Sequence, residues 1–385
     1  MMKVLLYEWE ASVSTIKLIH AMEQHGWIIK KFQREIKDYF EDEEFEQELC
    51  RQLNDVDAVF SFNFFPLIAR NCYLRKKKYI SWCFDCPLFQ LFSKETEYET
   101  NHIFVFDLEQ VQECEKIGIK NVYYLPLVAN MTYDESKKPM EYQCDVSFVG
   151  QLYDNNLYRQ IRYLPEYLKG FLEGIMSAQK LIYGANLLDD LLSTNYMREV
   201  EKYVKLGMNK ERYLFLDNKK VFLSTMLERE ISCWERMDII KLMGEHFDFH
   251  LYTYSDTSYW PWVKNLGGVD YDTELGMIYQ TSKINLNITA KNIHHGVPMR
   301  VFDILSTGGF CISNYQRGLE ELFDLGNDLV VYDDYNDLIY KVAYYLEHEE
   351  ERLQIAENGK RKVRECHLYE HRMKEIEAIM KLVKL

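Results

Sequence analysis

The chain has 385 residues, a length that predicts about two domains. Hydrophobic residues make up 47% and charged residues 28%, with 17 Gly and only 7 Pro, which excludes disordered, collagen-like and small disulfide-stapled proteins. The 46 basic and 61 acidic side chains leave a net charge of −15, and this negative field disfavours nucleic acid as a partner. The composition therefore predicts a globular protein with sizeable cores.

The start of the chain lacks the pattern of a secretory signal, because residues 1–7 run directly into Glu8 and Glu10. The longest apolar stretch, 58–69, is too short to span a bilayer. Nine cysteines, an odd number at irregular spacing, are typical of reduced thiols. We expect a cytoplasmic protein with no transmembrane segment.

Strands and helices alternate through the first part of the chain. Residues 3–7 form a short β-type run, and the spacing of Ile16, Ile19 and Met22 predicts a helix that ends at Gly26. Further β-type runs follow at 27–32, 58–62, 79–84, 103–106 and 122–125. This alternation predicts a mostly parallel, doubly wound sheet.

Three polar side chains come directly after predicted strands: Asn63, Asp85 and Asp107. Ligands of doubly wound sheets bind beyond the carboxyl ends of the strands, so each of the three is a candidate site residue. A lone Asn or Asp at a strand end also commonly caps a helix or a turn. Both interpretations stay open at this point.

A second alternating series begins at residue 145. The polar segment 132–143 predicts an interdomain linker with a boundary near residue 140, and thus domains at 1–140 and 141–368. Apolar groups at helical spacing predict a helical insertion over about 155–243. A charged amphipathic helix at 369–385 is expected to return to the first domain. The other predicted elements are strands at 145–150, 249–253, 283–288, 310–313 and 329–332, and helices at 273–280, 298–306, 319–325 and 336–347.

The segment His294-His295-Gly296-Val297-Pro298 precedes the predicted helix 298–306. Pro lacks an N–H and therefore suits the first turn of a helix. First-turn amides and the positive end of the helix dipole bind phosphate without any P-loop sequence. The segment is thus a candidate phosphate site.

One face of this helix carries Arg300, Asp303 and Thr307, which lie three and four residues apart. Arg300 can pair with a diphosphate oxygen, and Asp303 can accept hydrogen bonds from ribose hydroxyls. The spacing is equally compatible with an Arg300–Asp303 surface ion pair on an ordinary amphipathic helix.

Several segments together resemble a known family. Residues 265–332, which include NLGGVDYDTELG and HHGVPMRVFDILSTGGF, are similar to the C-terminal half of CgeB-type (spore maturation protein) glycosyltransferases. The segments YISWCFDCPLF, FVFD, GIKNVYYLPL and DVSFVGQLYDN resemble the N-terminal and linker segments of that family, so nearly the whole chain is covered. The resemblance implies a GT-B-like α/β fold: two Rossmann-type doubly wound domains facing a cleft, with a helical insertion in the second.

The resemblance also implies an activity. The expected reaction moves a sugar from a nucleotide-diphosphate sugar, here expected to be UDP-linked, to an acceptor that is a protein, a glycan or a small molecule. The second domain would hold the donor, and the first would present the acceptor. We expect a hexosyltransferase-like enzyme with no cofactor besides the donor and no essential metal, because this architecture commonly works through helix dipoles and basic side chains.

The donor-side candidates are carried over from the family motif. Asp303 stands where related retaining transferases place a ribose-binding Glu, and Arg300 matches the Arg of the R-x-F-[DE] pattern. Gly296 replaces the first Glu of that motif, so His294 and His295 are the nearest candidates for its sugar-contacting role.

Further candidates surround this motif. Val297 lies at the start of the helix, and Thr307 lies on the face that carries Arg300. The family pattern places the nucleobase near the turn 267–271, which makes Val269, Tyr271 and Tyr254 candidates, although Tyr271 is equally compatible with a core position. Arg159 and Arg162 are candidates to neutralise phosphate charge, or else solvated helix positions.

On the acceptor side, Asp85 in the segment WCFDCP is the candidate general base or acceptor-orienting carboxylate. His295 is the second candidate catalytic residue. The sequence leaves retaining and inverting stereochemistry open.

Two other functions stay open. The missing first Glu is compatible with a catalytically inactive member that only binds a sugar or nucleotide. Cys83 and Cys86 form a C-x-x-C pair, which suggests thiol-redox or zinc chemistry. A redox pair normally opens a helix, however, and a zinc site needs a second pair of ligands.

Overall fold

The structure is a computed structural model that describes residues 1–9, 13–131, 141–154, 158, 161, 163–205, 212 and 218–382. The chain divides into two compact units. The first long segment of unit 1 ends at Asn130, ahead of the expected boundary near residue 140. Most of the predicted linker, 132–140, lies outside the described residues. Unit 1 comprises Met1–Asn130, Met208–Asn218 and Leu368–Leu385, and unit 2 comprises Met131–Gly207 and Lys219–His367.

Unit 1 contains a six-stranded sheet in the order β2-β1-β3-β4-β5-β6, with parallel pairing throughout the described strands. Its four central strands are nearly continuous runs of buried residues, the pattern of a parallel sheet covered on both faces, whereas the edge strand Ile28–Gln33 is mostly exposed. The strands are β1 (Lys3–Glu8), β2 (Ile28–Gln33), β3 (Ala58–Phe62), β4 (Lys78–Cys83), β5 (Asn101–Val105) and β6 (Val122–Tyr124). The helices between them are α1 (Val13–Gln24), α2 (Glu43–Gln52), α3 (Pro66–Leu74) and α4 (Leu108–Lys116).

The strand order of unit 1 reverses at β1, which has β2 on one side and β3 on the other. A doubly wound sheet opens a crevice at the carboxyl ends of the two strands where the order reverses, and ligands bind there. Trp9 directly follows β1, and Asn63 directly follows β3. These two residues therefore lie at the switch point of unit 1.

Unit 2 contains a second six-stranded parallel sheet, in the order β12-β11-β10-β7-β8-β9. Its switch point lies between β7 and β10. The strands are β7 (Cys144–Val149), β8 (Phe249–Tyr252), β9 (Lys264–Asn265), β10 (Ser282–Asn287), β11 (Cys311–Asn314) and β12 (Val330–Tyr332). The helices are α5 (Glu166–Lys180), α6 (Leu188–Leu191), α7 (Thr194–Val200), α8 (Asn218–His246), α9 (Leu275–Thr281), α10 (Met299–Ser306), α11 (Arg317–Leu322), α12 (Tyr335–Glu347) and α13 (Glu349–Cys366).

These two parallel, doubly wound sheets confirm the predicted α/β fold class. Some element bounds differ from the expectation. Helix α10 begins at Met299, with Pro298 as its N-cap residue, and α11 ends earlier than predicted because Phe323 is extended at φ −137° and ψ 155°. Within the described residues, no helix combines the length and the apolar character needed to cross a bilayer.

The inserted helices of unit 2 form a hydrophobic core of their own. Leu172, Leu188 and Leu227 are fully buried within it. Helix α8 has 29 residues and continues from this core to the main sheet, where Ile239 and Met243 join the central core of unit 2. One helix therefore connects the insertion to the sheet.

The last helix, α14 (Tyr369–Leu382), belongs to unit 1 and packs against α1. Its Glu377 accepts a hydrogen bond from the Trp27 indole at 2.9 Å, and Arg372 Nε donates to the Pro126 carbonyl at 2.9 Å. On the packed face, Met373 and Ile376 are fully buried. The helix is thus part of the core of unit 1.

We expect Ile376→Ala to lower the free energy of unfolding by about 2–4 kcal/mol, because truncation of a fully buried branched side chain leaves a cavity. Urea denaturation of the full chain, followed by tryptophan fluorescence, measures this change. Lys374→Ala, two residues away at an exposed position, is the matched control and should change stability by no more than about 0.5 kcal/mol. Equal effects of the two substitutions would contradict the packing role of α14.

Candidate functional site

Two arginines meet at the switch point of unit 2. The guanidinium carbon of Arg300, on α10, lies 5.2 Å from the centre of the Phe148 ring, and that of Arg236, on α8, lies 5.4 Å from the same ring. Phe148 is the penultimate residue of β7. Two cations near one ring repel each other, and an anion bound beside them would offset that repulsion. We call Arg236, Arg300 and Phe148 the arginine site.

Arg236 is only 2% exposed. Its Nη1 donates to the Gln151 carbonyl after β7 at 2.5 Å, and its Nη2 donates to the Ile288 carbonyl after β10 at 2.6 Å. Its Nε has no hydrogen-bond partner among the described residues. Burial lowers the pKa of Arg236 to about 10, and the charge of Arg300 acts in the same direction. Arg236 therefore stays charged near neutral pH while it joins the two loops at the switch point.

Arg300 is half-buried, and its Nη1 donates to Asn287 Oδ1 at 3.1 Å. Asn287 ends β10 and donates in turn to Ser313 Oγ at 2.9 Å, which fixes the orientation of its amide. Gly150 permits this placement of the guanidinium, because a Cβ there would lie 2.6 Å from Arg300 Nη2. Arg300 is thus held by Asn287 of β10, whose amide is in turn fixed by Ser313 of β11.

Asp303 is 1% exposed, although its spacing from Arg300 also allowed a surface ion pair. The Met131 amide donates to its Oδ1 at 3.0 Å, and the Tyr271 hydroxyl donates to its Oδ2 at 2.5 Å. The burial excludes the solvent-exposed pair. Each carboxylate oxygen can accept two hydrogen bonds, so a ribose hydroxyl would share an oxygen with one of these donors.

Thr307 and Val297, two further candidates on and before α10, are also buried. Thr307 is 1% exposed, ends the helix as its C-cap, and donates from Oγ1 to the Ile304 carbonyl at 2.8 Å. Val297 is 2% exposed. The first turn of α10 has no side-chain cap, so its amides are not taken up by the side chain of the N-cap residue.

Both histidines before α10 pair with glutamates. His294 Nε2 lies 2.8 Å from Glu228 Oε1 on α8. His295 is 5% exposed, and its Nε2 lies 2.9 Å from Glu321 Oε1 on α11. These pairs hold the loop that leads into α10.

One side of α8 runs along that loop through residues spaced at about one helical turn. The contacts are Glu228 Oε1 to His294 Nε2 at 2.8 Å, Lys291 N to Ser232 Oγ at 2.8 Å, and Arg236 Nη2 to the Ile288 carbonyl at 2.6 Å. Spacings of four residues place side chains on one helix face. Helix α8 is therefore the support of the loop between β10 and α10.

The candidate nucleobase residues lie nearby in the chain but differ in exposure. Tyr254 is 88% exposed and its ring covers Gly268, where a Cβ would lie 1.9 Å from Cζ. Val269 is half-buried, and Tyr271 is 37% exposed, so Tyr271 is not a core residue. Arg159 and Arg162 lie outside the described residues.

In unit 1, Asp85 is exposed near the carboxyl end of β4 and is held by Asn63. Asn63 Nδ2 donates to Asp85 Oδ2 at 2.8 Å, while Asn63 Oδ1 accepts from the amides of Phe84 at 2.8 Å and Asp85 at 3.2 Å. Asn63 adopts φ +60°, a left-handed conformation that asparagine tolerates better than most residues. The side chain of Asn63 thus fixes both the backbone and the carboxylate of Asp85.

Asp107 has the capping role that the sequence left open. It is the N-cap of α4 and accepts hydrogen bonds from the amides of Glu109 at 3.0 Å and Gln110 at 3.2 Å. Asp107 is 1% exposed, so it is a structural residue of the strand end.

The cysteine pair has little of the character of a redox site. Cys83 is buried at the end of β4, and burial raises its pKa well above the usual range, which disfavours the thiolate. The described residues contain no group of three or more His, Cys, Asp or Glu side chains arranged to hold a metal ion.

The sequence has two Asp-x-Asp triplets, 55–57 and 270–272, a pattern that binds a metal on a donor diphosphate in some transferases. In one of them, Asp270 Oδ1 accepts hydrogen bonds from the Thr273 amide at 2.9 Å and the Thr273 hydroxyl at 2.6 Å, so it caps a turn. In the other, Asp57 Oδ2 accepts from the Lys3 amide at the amino end of β1.

Sequence reasoning missed Arg236, the most buried cation of the arginine site. A signal was present, because Arg236 interrupts an apolar stripe formed by Cys233, Ile239 and Ile240 at helical spacing. A charged residue in a buried stripe requires compensating partners.

Part of unit 2 and the last helix are similar in sequence to a known family. A family profile described as "Glycosyl transferase-like" matches residues 234–378, a segment that contains Arg236, Arg300 and Asp303. No curated protein matches the chain in sequence.

Solved structures of similar fold extend over the whole chain. Sucrose-phosphate synthase from Thermosynechococcus elongatus is 9% identical, with a TM-score of 0.52 over 100% of this chain and 99% of that one. HepE of Anabaena, solved in complex with UDP and glucose, is 8% identical, with a TM-score of 0.52 over 99% and 100%. The β-glucosyltransferase of phage T4 is 12% identical, with a TM-score of 0.51 over 100% of both chains. At these identities the likeness concerns the fold, and the chain has the two-sheet α/β fold of GT-B glycosyltransferases.

Proposed function

We propose that this protein transfers a sugar from a uridine-diphosphate sugar to an acceptor, with the donor bound by unit 2 and the acceptor by unit 1. The observation that carries the proposal is the arginine site at the switch point of unit 2, beside the start of α10. The family match over 234–378 and the UDP complex of HepE support it. The narrower resemblance to CgeB-type glycosyltransferases stays a prediction.

On the donor side, the diphosphate would pair with Arg300 and Arg236 and accept hydrogen bonds from the first turn of α10. Asp303 would accept a hydrogen bond from the ribose, sharing its oxygens with Met131 and Tyr271. Val269 and Tyr254 would contact the nucleobase. The two guanidinium groups would stabilise the charge that develops on the leaving diphosphate.

On the acceptor side, Asp85 would take the proton of the attacking hydroxyl. The hydroxyl oxygen forms a bond to the anomeric carbon, and the bond from that carbon to the diphosphate oxygen breaks. The diphosphate leaves with the electron pair, and the proton remains on Asp85. His295 would orient the loop before α10 through Glu321 and contact the transferred sugar.

The alternatives differ in what they require. A sugar- or nucleotide-binding protein without activity would use the arginine site equally well, so donor turnover is what separates it from an enzyme. Redox chemistry is disfavoured because Cys83 is buried with a raised pKa.

We expect Arg300→Ala to weaken UDP binding by about 1.5–3 kcal/mol, because it removes a charged hydrogen bond in a half-buried site. Calorimetric titration with UDP measures this loss. Arg364→Ala, an exposed arginine at the end of α13, is the matched control and should bind UDP with unchanged affinity. UDP affinity unchanged in Arg300→Ala would remove Arg300 from the donor site.

Turnover decides between enzyme and binder. Incubation with uridine-, guanosine- and thymidine-diphosphate sugars should release the nucleoside diphosphate, UDP, from the uridine donors only.

Addition of EDTA should leave this turnover unchanged, because the guanidinium groups supply the positive charge that a divalent cation would otherwise supply. A loss of activity that Mg²⁺ or Mn²⁺ restores would contradict metal independence.

We expect Asp85→Asn to lower turnover roughly 10²-fold or more with nearly unchanged donor affinity, because a base acts in the transition state and not in nucleotide binding. Asp55→Asn, at an exposed position before β3, is the matched control. For both variants, turnover, the donor affinity by titration and the melting temperature should be measured. A lowered melting temperature with normal turnover would assign Asp85 a structural role instead.

A further inference from the structure

A group of aromatic side chains lies at the switch point of unit 1. The rings of Trp9 and Phe65 are stacked at an interplanar angle of 22°, with centroids 6.4 Å apart. Tyr39 contacts both, with centroid distances of 5.9 Å to Trp9 and 5.7 Å to Phe65. Phe65 is buried, Tyr39 is half-buried and Trp9 is 37% exposed. We call these three rings the aromatic platform.

The platform adjoins the polar pair described above. Phe65 follows Asn63 by two residues, and Asn63 holds the exposed carboxylate of Asp85 at 2.8 Å. Burial raises the pKa of Tyr39, and the negative charge of Asp85 acts in the same direction. The exposed indole of Trp9 and the hydrogen-bonding groups of Asn63 and Asp85 therefore all lie at the carboxyl edge of the sheet of unit 1.

The indole of Trp9 and the polar groups of Asn63 and Asp85 match the apolar face and the hydroxyl groups of a pyranose ring. The C–H face of such a ring is apolar and stacks on an aromatic ring, while its hydroxyls both donate and accept hydrogen bonds. Asp85 can only accept when ionised, and Asn63 and Tyr39 can donate. An aromatic hydrocarbon would stack on Trp9 equally well, but it would offer no hydrogen bond to the remaining lone pairs of Asp85 or to the second N–H of the Asn63 amide.

The charge of the surroundings favours a neutral ring. Asp85 is exposed, and the chain carries a net charge of −15. The cations near Tyr39 in sequence, Arg34 and Lys37, both pair with Glu44, at 3.0 and 3.2 Å. An acceptor bearing a carboxylate or phosphate would meet repulsion at this edge.

We propose that the aromatic platform, with Asn63 and Asp85, binds a neutral pyranose ring, so that the acceptor is a saccharide. The inference rests on the proposed function for the assignment of the acceptor to unit 1. The stacked ring would present a hydroxyl to Asp85, and Trp9 would determine the preference for a sugar.

Fluorine NMR of the full chain labelled with 5-fluorotryptophan tests this directly. The protein has six tryptophans, and the resonance that disappears in Trp9→Phe belongs to Trp9. The probes are the neutral methyl glucopyranosides, galactopyranosides and mannopyranosides, with methyl glucuronide as the anionic probe and indole as the planar aromatic one. We expect at least one neutral glycoside to shift the Trp9 resonance and the glucuronide to shift it less.

Substitution measures the contribution of the ring. Trp9→Ala should raise the dissociation constant of that glycoside roughly three- to tenfold, and Trp9→Phe should restore most of the affinity. UDP affinity should be the same in both variants. Trp262→Ala, which removes a tryptophan that is 48% exposed in unit 2, is the matched control.

The outcomes separate this inference from the proposed function. UDP binding and donor turnover without any effect of neutral glycosides on Trp9 would overturn the inference and leave the function standing. A shift by indole or the glucuronide alone would also overturn it. A glycoside-dependent shift of Trp9 without UDP binding would support the saccharide site and refute the donor side of the proposed function.

Discussion

The switch point of unit 2 depends on the burial of one cation, Arg236. A guanidinium that is 2% exposed must find acceptors inside the protein, and it finds them in the Gln151 and Ile288 carbonyls. Those carbonyls belong to the loops after β7 and β10, the two strands where the order of the sheet reverses. The cost of burying the charge thereby fixes the geometry of the two loops where a ligand of such a fold binds.

The same helix that carries Arg236 also supports the loop before α10. Ser232 and Glu228 hold this loop from successive turns of α8, and Glu235 lies 3.5 Å from Lys291 Nζ in a fully buried position. Burial raises the pKa of Glu235 and lowers that of Lys291, so each group needs the other to remain charged. Because α8 also closes the core of the insertion, the inserted helices and the candidate donor site share one rigid support.

In unit 1 a neutral side chain, that of Asn63, holds the chain at the end of a strand. Asn63 adopts a left-handed conformation and uses its amide to hold the backbone and the carboxylate of Asp85. A strained residue that positions an exposed acid is more typical of a functional site than of a loop chosen for stability. Asp107, at the corresponding point after the next strand, instead caps α4 by accepting hydrogen bonds from two of its first amides. Two aspartates that each follow a Phe at a strand end thus differ, because Asp107 is buried and caps a helix while Asp85 is exposed and held by Asn63.

The sequence by itself determined the alternation of strands and helices, the parallel sheets, the inserted helices and the glycosyltransferase-like character of the second half. The elements and sheets follow from local periodicity, and the glycosyltransferase-like character from segments that resemble a known family. It also identified Arg300 and Asp85 as candidates, because both lie at predicted helix or strand ends. The two-residue strand β9 was too short to leave a periodic signal.

Tertiary structure alone decided which residues come together. Arg236 and Arg300 are 64 positions apart, yet both lie on Phe148, and no local pattern links a residue in the middle of α8 to the start of α10. Local spacing placed Asp303 on a helix face, but only the packing of Met131 and Tyr271 against it shows that this face is buried. Trp9 and Asn63 become neighbours because β1 and β3 are adjacent in the sheet, and strand order is a property of long-range pairing that periodicity does not encode.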